Sequence, residues 1–446
     1  MKYVLLLLTG LGLLACEKEE ALPFIEIETS EEARIASIVE ELNLLASPIN
    51  SPLPEGPTED LQAFDYLTEA RIVGMGEATH GTKDFFQMKD RLFRYLVENH
   101  GFKAIIFEMD FAEALIFDDY VRNGGGSLDE LMRKHMFFWI WTNREVRSLL
   151  QWMRAYNKDR PATEQLRFLG NDVQTTRYNA AELIRRVQAL HPVLAQAISQ
   201  RTTAYRQLNR STFATAGEQF HQEITADLEA IQAMLQANEP ELTSASSTEE
   251  YALLLRLSQT LVDTETLLFA EHQPTYRNLR DVRMADNSQW WTEQLGSNTK
   301  TAIWAHNLHV ADLPNLQNGA SMGHHLKARY GKDYQNLGFS FSTGAFLARA
   351  PTLASPPNVR QIISSPPVNS FHHYFSRMAG DNFLIRTANI PTGSATDQLF
   401  RQPLLFYAIG SSLIGENNRG LHRSPITPYF DAIIHFERTE AAEGMW

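Results

Sequence analysis

The chain has 446 residues, of which 43% are hydrophobic and 21% charged, a composition typical of a folded globular protein and not of a disordered, collagen-like or many-span membrane protein. Its 53 acidic residues outnumber its 40 basic ones, giving a formal net charge of −13, which argues against a nucleic-acid partner because phosphate binding needs a dense positive surface. Cys16 is the single cysteine, so an intramolecular disulfide and a cysteine-rich zinc or iron–sulfur centre are excluded.

The first 16 residues have the pattern of a lipoprotein signal peptide. Lys2 precedes an apolar run from Tyr3 to Leu14, and the small Ala15 stands before Cys16. The apolar run is shorter than the roughly 20 residues that a membrane-spanning helix needs. We expect cleavage before Cys16 and lipidation of that cysteine, which would tether the protein to the bacterial envelope, on the periplasmic or the cell-surface side. The alternative is a secreted protein with a cysteine here by chance.

The rest of the chain alternates short apolar runs with longer amphipathic ones, which is typical of β–α units and a largely parallel sheet flanked by helices. We expect residues 17–57 to form a linker and an N-terminal helix, and residues 58–440 to form one α/β domain. Apolar residues between the first two strands recur at helical spacing, and Gly101 can end that helix. The predicted strands are Arg71–Gly76, Lys103–Glu108, Leu166–Asp172, Thr301–His306, Asn336–Ser342 and Leu404–Ile409.

A helical insertion is predicted at about residues 177–271, where strand signals disappear. Leucines such as Leu253, Leu257 and Leu261 keep helical spacing there, as long antiparallel helices require. The stretch Pro240–Ser247 is predicted to be the turn between two of these helices. Residues 310–335 and 350–370, rich in Asn, Gly, Ser and Pro, are predicted to be long loops near the site.

A glycine-rich turn, Gly74–Thr82, follows the first predicted strand and precedes its helix. Ligands bind at this end of the strands in open α/β sheets. The turn carries two ionisable groups, Glu77 and His80, that it can direct into one crevice. A histidine in such a turn can also be a packed or capping residue.

Further ionisable side chains follow other predicted strands. Glu108 ends the second strand, where it would join Glu77 and His80 as a carboxylate pair suited to acid–base chemistry, or would simply be solvated. His306 and His309 follow the strand that begins at Thr301. These imidazoles and glutamates suit either a divalent metal or metal-free acid–base catalysis.

Arg280 lies on a predicted helix just before that strand. It can face developing negative charge in a reaction, or it can pair with Asp281 or Glu271. Two other histidine pairs, His324–His325 and His372–His373, lie in loop-like sequence and are predicted to be exposed. The aromatic run from Phe137 to Trp141 can line an apolar pocket or belong to the core.

No motif for a covalent nucleophile is present. The chain has no Gly-x-Ser-x-Gly elbow, no phosphate-binding loop and no His-Glu-x-x-His helix. The simplest hydrolytic mechanism is therefore a water molecule activated by a histidine that a carboxylate holds in position.

Several separated motifs, in order across roughly residues 60–440, resemble the erythromycin esterase family. One motif alone would be weak support, but their agreement identifies the chain as similar to that family. They are Gly76–Thr82, Glu108, Trp141–Val146, Trp152–Asn157, Gly170–Gln174, Arg280–Asp281 with Met284–Asn287, and Ala305–His309.

The resemblance implies an esterase-like α/β fold and hydrolysis of a carboxylic ester or macrolactone, without a covalent nucleophile or a cofactor. By position, His80 would be the general base, Glu77 and Glu108 would orient and tune it, and His306 or His309 would complete the site. The resemblance also implies three substrate-binding residues, Arg280, Lys89 and Asp172. Lys89 stands where some relatives have an arginine, nine residues after the base histidine.

Two alternatives remain open on sequence grounds. The first is a metal-assisted hydrolase that uses the same histidines and glutamates as ligands of a divalent cation. The second is a non-enzymatic lipoprotein that binds haem or another small molecule, with His80, His306 or His309 as an axial ligand. Paired glutamates have no use in haem ligation, which disfavours the second alternative.

Overall fold

The computed structural model describes residues 23–208, 212, 215–271, 278–316, 318–349, 359–413 and 420–445, with side chains from residue 30 onward. The predicted signal peptide and Cys16 lie outside these residues. So do residues 350–358 of the predicted loop 350–370. The boundaries predicted for the linker and the domain stay predictions.

The sheet is mostly parallel and has helices on both faces, as expected from the alternation of apolar runs. Its order within the described residues is β1-β8-β11-β6-β2-β5-β3-β4, with β7 added antiparallel to β6. Strands β9 and β10 form a separate antiparallel pair. The strands are β1 (Ser47–Pro48), β2 (Ile72–Met75), β3 (Phe102–Asp110), β4 (Arg167–Asp172), β5 (Lys300–Trp304), β6 (Tyr334–Ala348), β7 (Val359–Ile363), β8 (Asn382–Arg386), β9 (Leu405–Tyr407), β10 (Leu421–Arg423) and β11 (Ala432–Thr439).

Two hydrophobic cores lie on the two faces of the sheet. Side chains alternate between the faces along a strand, so Ile105 and Phe107 join one core while Ile106 joins the other. Every residue of β2 is buried, because β2 pairs in parallel with β5 on one side and β6 on the other. The centre of the sheet is therefore rigid, and its strand ends are fixed points for a site.

Helix α2 shows how the local sequence sets an element. Phe85, Met88, Leu92 and Leu96 are all fully buried on one face, and the helix ends where Gly101 adopts a left-handed φ of 74°. The helices are α1 (Pro23–Leu45), α2 (Lys83–His100), α3 (Phe111–Asn123), α4 (Leu128–His135), α5 (Arg144–Asn157), α6 (Asn179–Leu190), α7 (Pro192–Arg201), α8 (Thr203–Gln207), α9 (Glu218–Ala237), α10 (Glu239–Ala245), α11 (Thr248–Ala270), α12 (Arg280–Gln294), α13 (Asn307–Val310), α14 (Met322–Tyr330), α15 (Phe371–Phe375) and α16 (Ala395–Phe400).

The described segment between β4 and β5 contains helices α6 to α12 and no strand. The predicted turn Pro240–Ser247 is wrong, because Glu239–Ala245 forms the short helix α10, with Pro240 in its first turn where a missing N–H costs nothing. None of the helices in the described part of the chain is long and apolar enough to cross a membrane.

Five predicted strands lie in the central sheet, within one or two residues of their predicted ends except that β6 continues six residues past its predicted C-terminal end. The sixth, Leu404–Ile409, is only partly a strand and pairs outside the central sheet, as β9. Strands β8 and β11 were not predicted. The segment 310–335 is not simply a loop, since it contains α14 and the start of β6, and β7 lies within the predicted loop 350–370.

Candidate functional site

The neighbouring strands β2, β5, β3 and β4 deliver most of the predicted site residues to one edge of the sheet. Glu77 and His80 follow β2, His306 follows β5, and Glu108 and Asp172 lie at the ends of β3 and β4. Parallel strands end at the same edge, so side chains distant in sequence meet there. All five residues are buried, with at most 7% of each exposed.

The turn after β2 fixes the position of His80. The His80 N–H donates a hydrogen bond to Gly410 O at 3.1 Å, and the Gly81 carbonyl accepts from Leu347 N at 2.9 Å. A Cβ atom at Gly81 would lie 2.1 Å from Leu347 O, so only glycine fits this close approach. The glycine pattern seen in the sequence therefore positions the histidine backbone.

Glu77 holds the His80 ring from behind. His80 Nδ1 is hydrogen-bonded to Glu77 Oε1, while Glu77 Oε2 accepts from Lys89 Nζ and, at 3.0 Å, from Trp304 Nε1. Glu77 is fully buried, so this carboxylate has protein partners in place of water. With Nδ1 engaged, His80 Nε2 is the nitrogen left for chemistry.

Lys89 is fully buried beneath the site and does not line the cavity. Its Nζ contacts Glu77 and lies 4.4 Å from the centre of the Trp304 ring. Burial lowers the pKa of Lys89 to about 8, although the charge of Glu77 opposes this shift. The structure thus places Lys89 behind the Glu77–His80 pair and away from the cavity.

Glu108 faces His80 across a gap. Glu108 Oε1 lies 4.0 Å from His80 Nε2 and accepts from Arg280 Nη2 at 2.6 Å, while Oε2 accepts from the His306 N–H at 2.9 Å. Burial acts to raise the pKa of Glu108, but the charges of His309 and Arg280 outweigh it and hold that pKa well below its usual range. Glu108 is therefore a carboxylate at neutral pH.

Arg280 pairs with residues other than those that helical spacing suggested. Its guanidinium donates to both oxygens of Asp172, with the shortest contact at 2.7 Å, as well as to Glu108. Asp172 is thus a partner of Arg280 and not a wall of the cavity. Although burial opposes it, the charges of Asp172 and Glu108 raise the pKa of Arg280 well above its usual value, so the guanidinium stays charged.

The two later histidines have different environments. His309 Nδ1 lies 2.7 Å from Asp281 Oδ1, and the charges of Asp281 and Glu108 raise the pKa of His309 against the effect of burial. His306 is buried, and burial together with the neighbouring His80 lowers its pKa well below the usual value, so its imidazole is neutral. The His306 ring centre lies 5.2 Å from that of His80.

These groups open onto a cavity of about 520 Å³. His80, Glu108, Arg280, His306 and His309 form its polar wall. The other lining residues are Phe138, Trp139, Ile140, Gln174, Leu308, Arg349, Ala408, Ile409, Gly410, Ser411, Ser412 and His422. Of the aromatic run, Phe138 and Trp139 therefore face the cavity, whereas Trp141 is fully buried beneath it.

Sequence reasoning missed the wall contributed by residues 408–412, His422 and Arg349. Residues 408–412 follow β9, Arg349 follows β6 and His422 lies in β10, and none of them belongs to a motif that marks a site. Gly410 has a left-handed φ of 60° and accepts a hydrogen bond from His80 N, a contact that only the folded structure reveals.

The donor set does not fit a divalent metal. Within the described residues no group of three or more His, Cys, Asp or Glu side chains is arranged to hold an ion. The reason is visible at the two glutamates, since Lys89 and Arg280 already occupy the carboxylate oxygens of Glu77 and Glu108.

The other histidine pairs are only partly as predicted. His324 and His325 are half-buried on α14. The prediction of an exposed His372 is wrong, because this residue is fully buried on α15, where its ring stacks on Tyr407 with the ring centres 4.0 Å apart. Its Nδ1 lies 3.1 Å from Ser340 Oγ, so this histidine is a packed core residue.

Comparison with known proteins identifies the family to which the chain is similar. The sequence model of the erythromycin esterase family matches residues 97–439. Erythromycin esterase type II of Escherichia coli is 25% identical over 312 residues, which is 64% of this chain and 72% of that protein. The putative hydrolase YbfO of Bacillus subtilis (strain 168) is 24% identical over 335 residues, which is 68% of this chain and 71% of that protein.

Two solved structures share the fold. A Bacillus cereus protein superimposes with a TM-score of 0.81 and 24% identity, covering 92% of this chain and 99% of that one. A mutant of the erythromycin esterase EreC in its open conformation gives a TM-score of 0.65 and 18% identity, covering 89% of this chain and 98% of that one. The similarity to these structures concerns the α/β architecture.

Proposed function

The chain belongs to the erythromycin esterase family, whose members named above are esterases or hydrolases, and from this premise we propose that it hydrolyses a carboxylic ester or macrolactone with a water molecule activated by His80. The observation that carries the proposal is the His80–Glu77 contact at the wall of a cavity. A carboxylate on Nδ1 fixes the tautomer and orientation of an imidazole and leaves Nε2 free to accept a proton.

The reacting water is placed between His80 and Glu108. Their facing atoms, Nε2 and Oε1, are 4.0 Å apart, too far for a direct hydrogen bond. A water lying roughly 2.8 Å from each atom would fit this gap and bond to both. Glu108 then orients the water while His80 takes its proton.

The proposed reaction is direct hydrolysis of the ester by water, with His80 carrying the proton from the water to the leaving alcohol. The oxygen of the water adds to the ester carbonyl carbon as its proton passes to His80 Nε2. The tetrahedral intermediate collapses, the bond to the alcohol oxygen breaks, and His80 returns the proton to that alkoxide. The products are a carboxylic acid and an alcohol, and no enzyme atom becomes acylated.

Arg280 supplies the positive charge for the developing oxyanion. Its guanidinium lies on the cavity wall and is held by Asp172 and Glu108, so little reorganisation is needed during the reaction. His309 supports it from the side, with its Nε2 2.8 Å from Arg280 Nη1. His306, neutral and buried, completes the polar wall that positions the ester.

The direct test replaces His80 by Asn and follows hydrolysis of neutral aryl esters and of macrolactones. We expect kcat/KM to fall by roughly 10²–10⁴-fold because the general base is lost. Asn keeps a polar group beside Glu77, so the thermal unfolding midpoint should change little compared with that activity loss.

Three further variants serve as controls for this test. His324→Asn replaces a half-buried histidine outside the cavity and should retain activity. Ser411→Ala and Ser412→Ala remove the hydroxyls that line the cavity. Full activity in His80→Asn, or its complete loss in one serine variant alone, would contradict activation of water by His80.

A further inference from the structure

A second cavity of about 700 Å³ adjoins the catalytic one. The two share four lining residues, Phe138, Trp139, Gln174 and Arg349, so they lie side by side. The far wall of the second cavity comes from the helical segment between β4 and β5, through residues such as Arg206. A substrate held at His80 can therefore extend into this second cavity.

The charged residues that line the second cavity all have the same sign. They are Arg177, Arg206 and Arg349, and none of the described residues that line this cavity is Asp or Glu. The chain as a whole carries a net charge of −13, so a wall of three arginines opposes the general charge of the molecule. Such a concave, positively charged wall concentrates anions.

These arginines lack carboxylate partners within the described part of the chain. Arg206 Nη2 donates to Ser199 O at 3.1 Å, and Arg177 Nη2 lies 3.5 Å from Lys134 O. In the catalytic cavity, by contrast, Arg280 is held by two carboxylates. The charge of the three arginines is thus available to a ligand.

The carboxyl of Glu113 lies behind this wall and does not line the cavity. Glu113 is fully buried and accepts from Phe137 N at 2.8 Å. Burial and the neighbouring Asp110 raise the pKa of Glu113 well above its usual value, against the charge of Arg177, and this shift favours the neutral form of the group. Its contact with Phe137 instead fixes the aromatic side of the cavity.

An apolar surface lies beside the arginines. Phe137 is 42% exposed, and its ring centre lies 4.8 Å from that of Phe138. Trp139 lines both cavities. A ligand that uses the whole cavity has an apolar or ring-shaped body together with a negatively charged group.

We propose that the second cavity is a subsite for a negatively charged group of the substrate, such as a carboxylate, phosphate or sulfate, so that the preferred substrates are anionic esters. The inference rests on the proposed hydrolase function and specifies the substrate class for that site. A substrate whose distal group is a cationic amine would face three positive charges and fits this cavity poorly.

The test uses matched 4-nitrophenyl esters with an acyl chain ending in a methyl, a carboxylate or a trimethylammonium group, and a second series with these groups on the alcohol. We expect kcat/KM for the anionic ester to exceed that for the cationic ester by roughly 10-fold or more at low salt in at least one series, and the preference to shrink as NaCl screens it. Arg206→Gln and Arg349→Gln should each lower the anionic-to-neutral ratio by roughly 3–10-fold.

Arg201→Gln is the matched control, because Arg201 is a surface residue that pairs with Asp227 and lines neither cavity. Its anionic-to-neutral ratio should equal that of the wild type. Equal or lower rates for the anionic ester in both series, or a ratio unchanged in both cavity variants, would overturn the subsite. If none of the esters is hydrolysed, the proposed function fails, and calorimetric binding of the same esters still decides whether the anionic one binds more tightly.

Discussion

At the scale of single residues, the site depends on charges that are buried and compensated. Glu77 has no exposed surface, and Lys89 provides the cation that makes its burial possible. Removing one partner of such a pair leaves an uncompensated charge in a low-dielectric environment, which costs about 3–5 kcal/mol. The orientation of His80 therefore depends on Lys89 although Lys89 does not line the cavity.

The pH profile tests this dependence. Burial lowers the pKa of Lys89 to about 8, so raising the pH through that value neutralises the amine and leaves Glu77 without its cation. We expect kcat/KM for a neutral ester to fall with an alkaline limb near pH 8. In Lys89→Arg the limb should move to higher pH because a guanidinium stays charged, and Lys89→Met should lose most activity at every pH.

Lys83→Arg serves as the control on the same helix, since Lys83 pairs with Glu443 away from the cavity. Thermal unfolding of each variant checks that the larger arginine is accommodated at position 89. An alkaline limb that keeps its position in Lys89→Arg would separate Lys89 from catalysis.

At the scale of elements, the start of helix α3 lowers the free energy of unfolding, because it buries the carboxyl group of Asp110. Asp110 is the N-cap of α3 and accepts from Ala112 N and Glu113 N, but it is also 2% exposed and close to Asp172. Burial raises the pKa of Asp110 to about 8 from an ordinary 3.8. The folded state therefore retains a proton that the unfolded state loses over this range, and stability falls as the pH rises from about 4 to 8.

Replacing Asp110 by Asn keeps a capping oxygen and removes the ionisation. We expect Asp110→Asn to raise the free energy of unfolding at pH 7 by about 2–4 kcal/mol, and by less at pH 5, as measured by denaturant unfolding at both pH values. Asp119→Asn, an exposed position on the same helix, should change stability by less than about 0.5 kcal/mol. A gain that does not grow with pH would show that Asp110 is ionised in the folded protein.

The elements that sequence predicts well are those with strong local patterns. Buried parallel strands have continuous apolar runs, so β2, β3, β4 and β5 were recognisable, and these four bring Glu77, His80, Glu108 and His306 together. The antiparallel strands β8 and β11 were not predicted. The partners of Arg280 could not be predicted from the sequence either, because its contact with Asp172 joins residues 108 positions apart.

At the scale of the whole molecule, the sheet supplies the residues proposed to be catalytic and the connecting segments supply the walls. Arg206 of α8, Leu268 of α11 and the segments after β4 and β9 line the space above the strand ends, and Arg206 adds a positive charge to it. In the proposed function, the strand ends set the reaction chemistry and the surrounding segments set the substrate choice. The chain as a whole is acidic, whereas the charged residues lining its second cavity are arginines.

The most direct measurement of the central claim is a single turnover of a neutral ester in H₂¹⁸O with enzyme in excess, followed by mass spectrometry of product and protein. If water polarised by His80 attacks the ester directly, one ¹⁸O atom appears in the product acid and none in Glu77 or Glu108. An unlabelled product, or ¹⁸O in either glutamate, would instead show that a carboxylate of the enzyme attacks the ester.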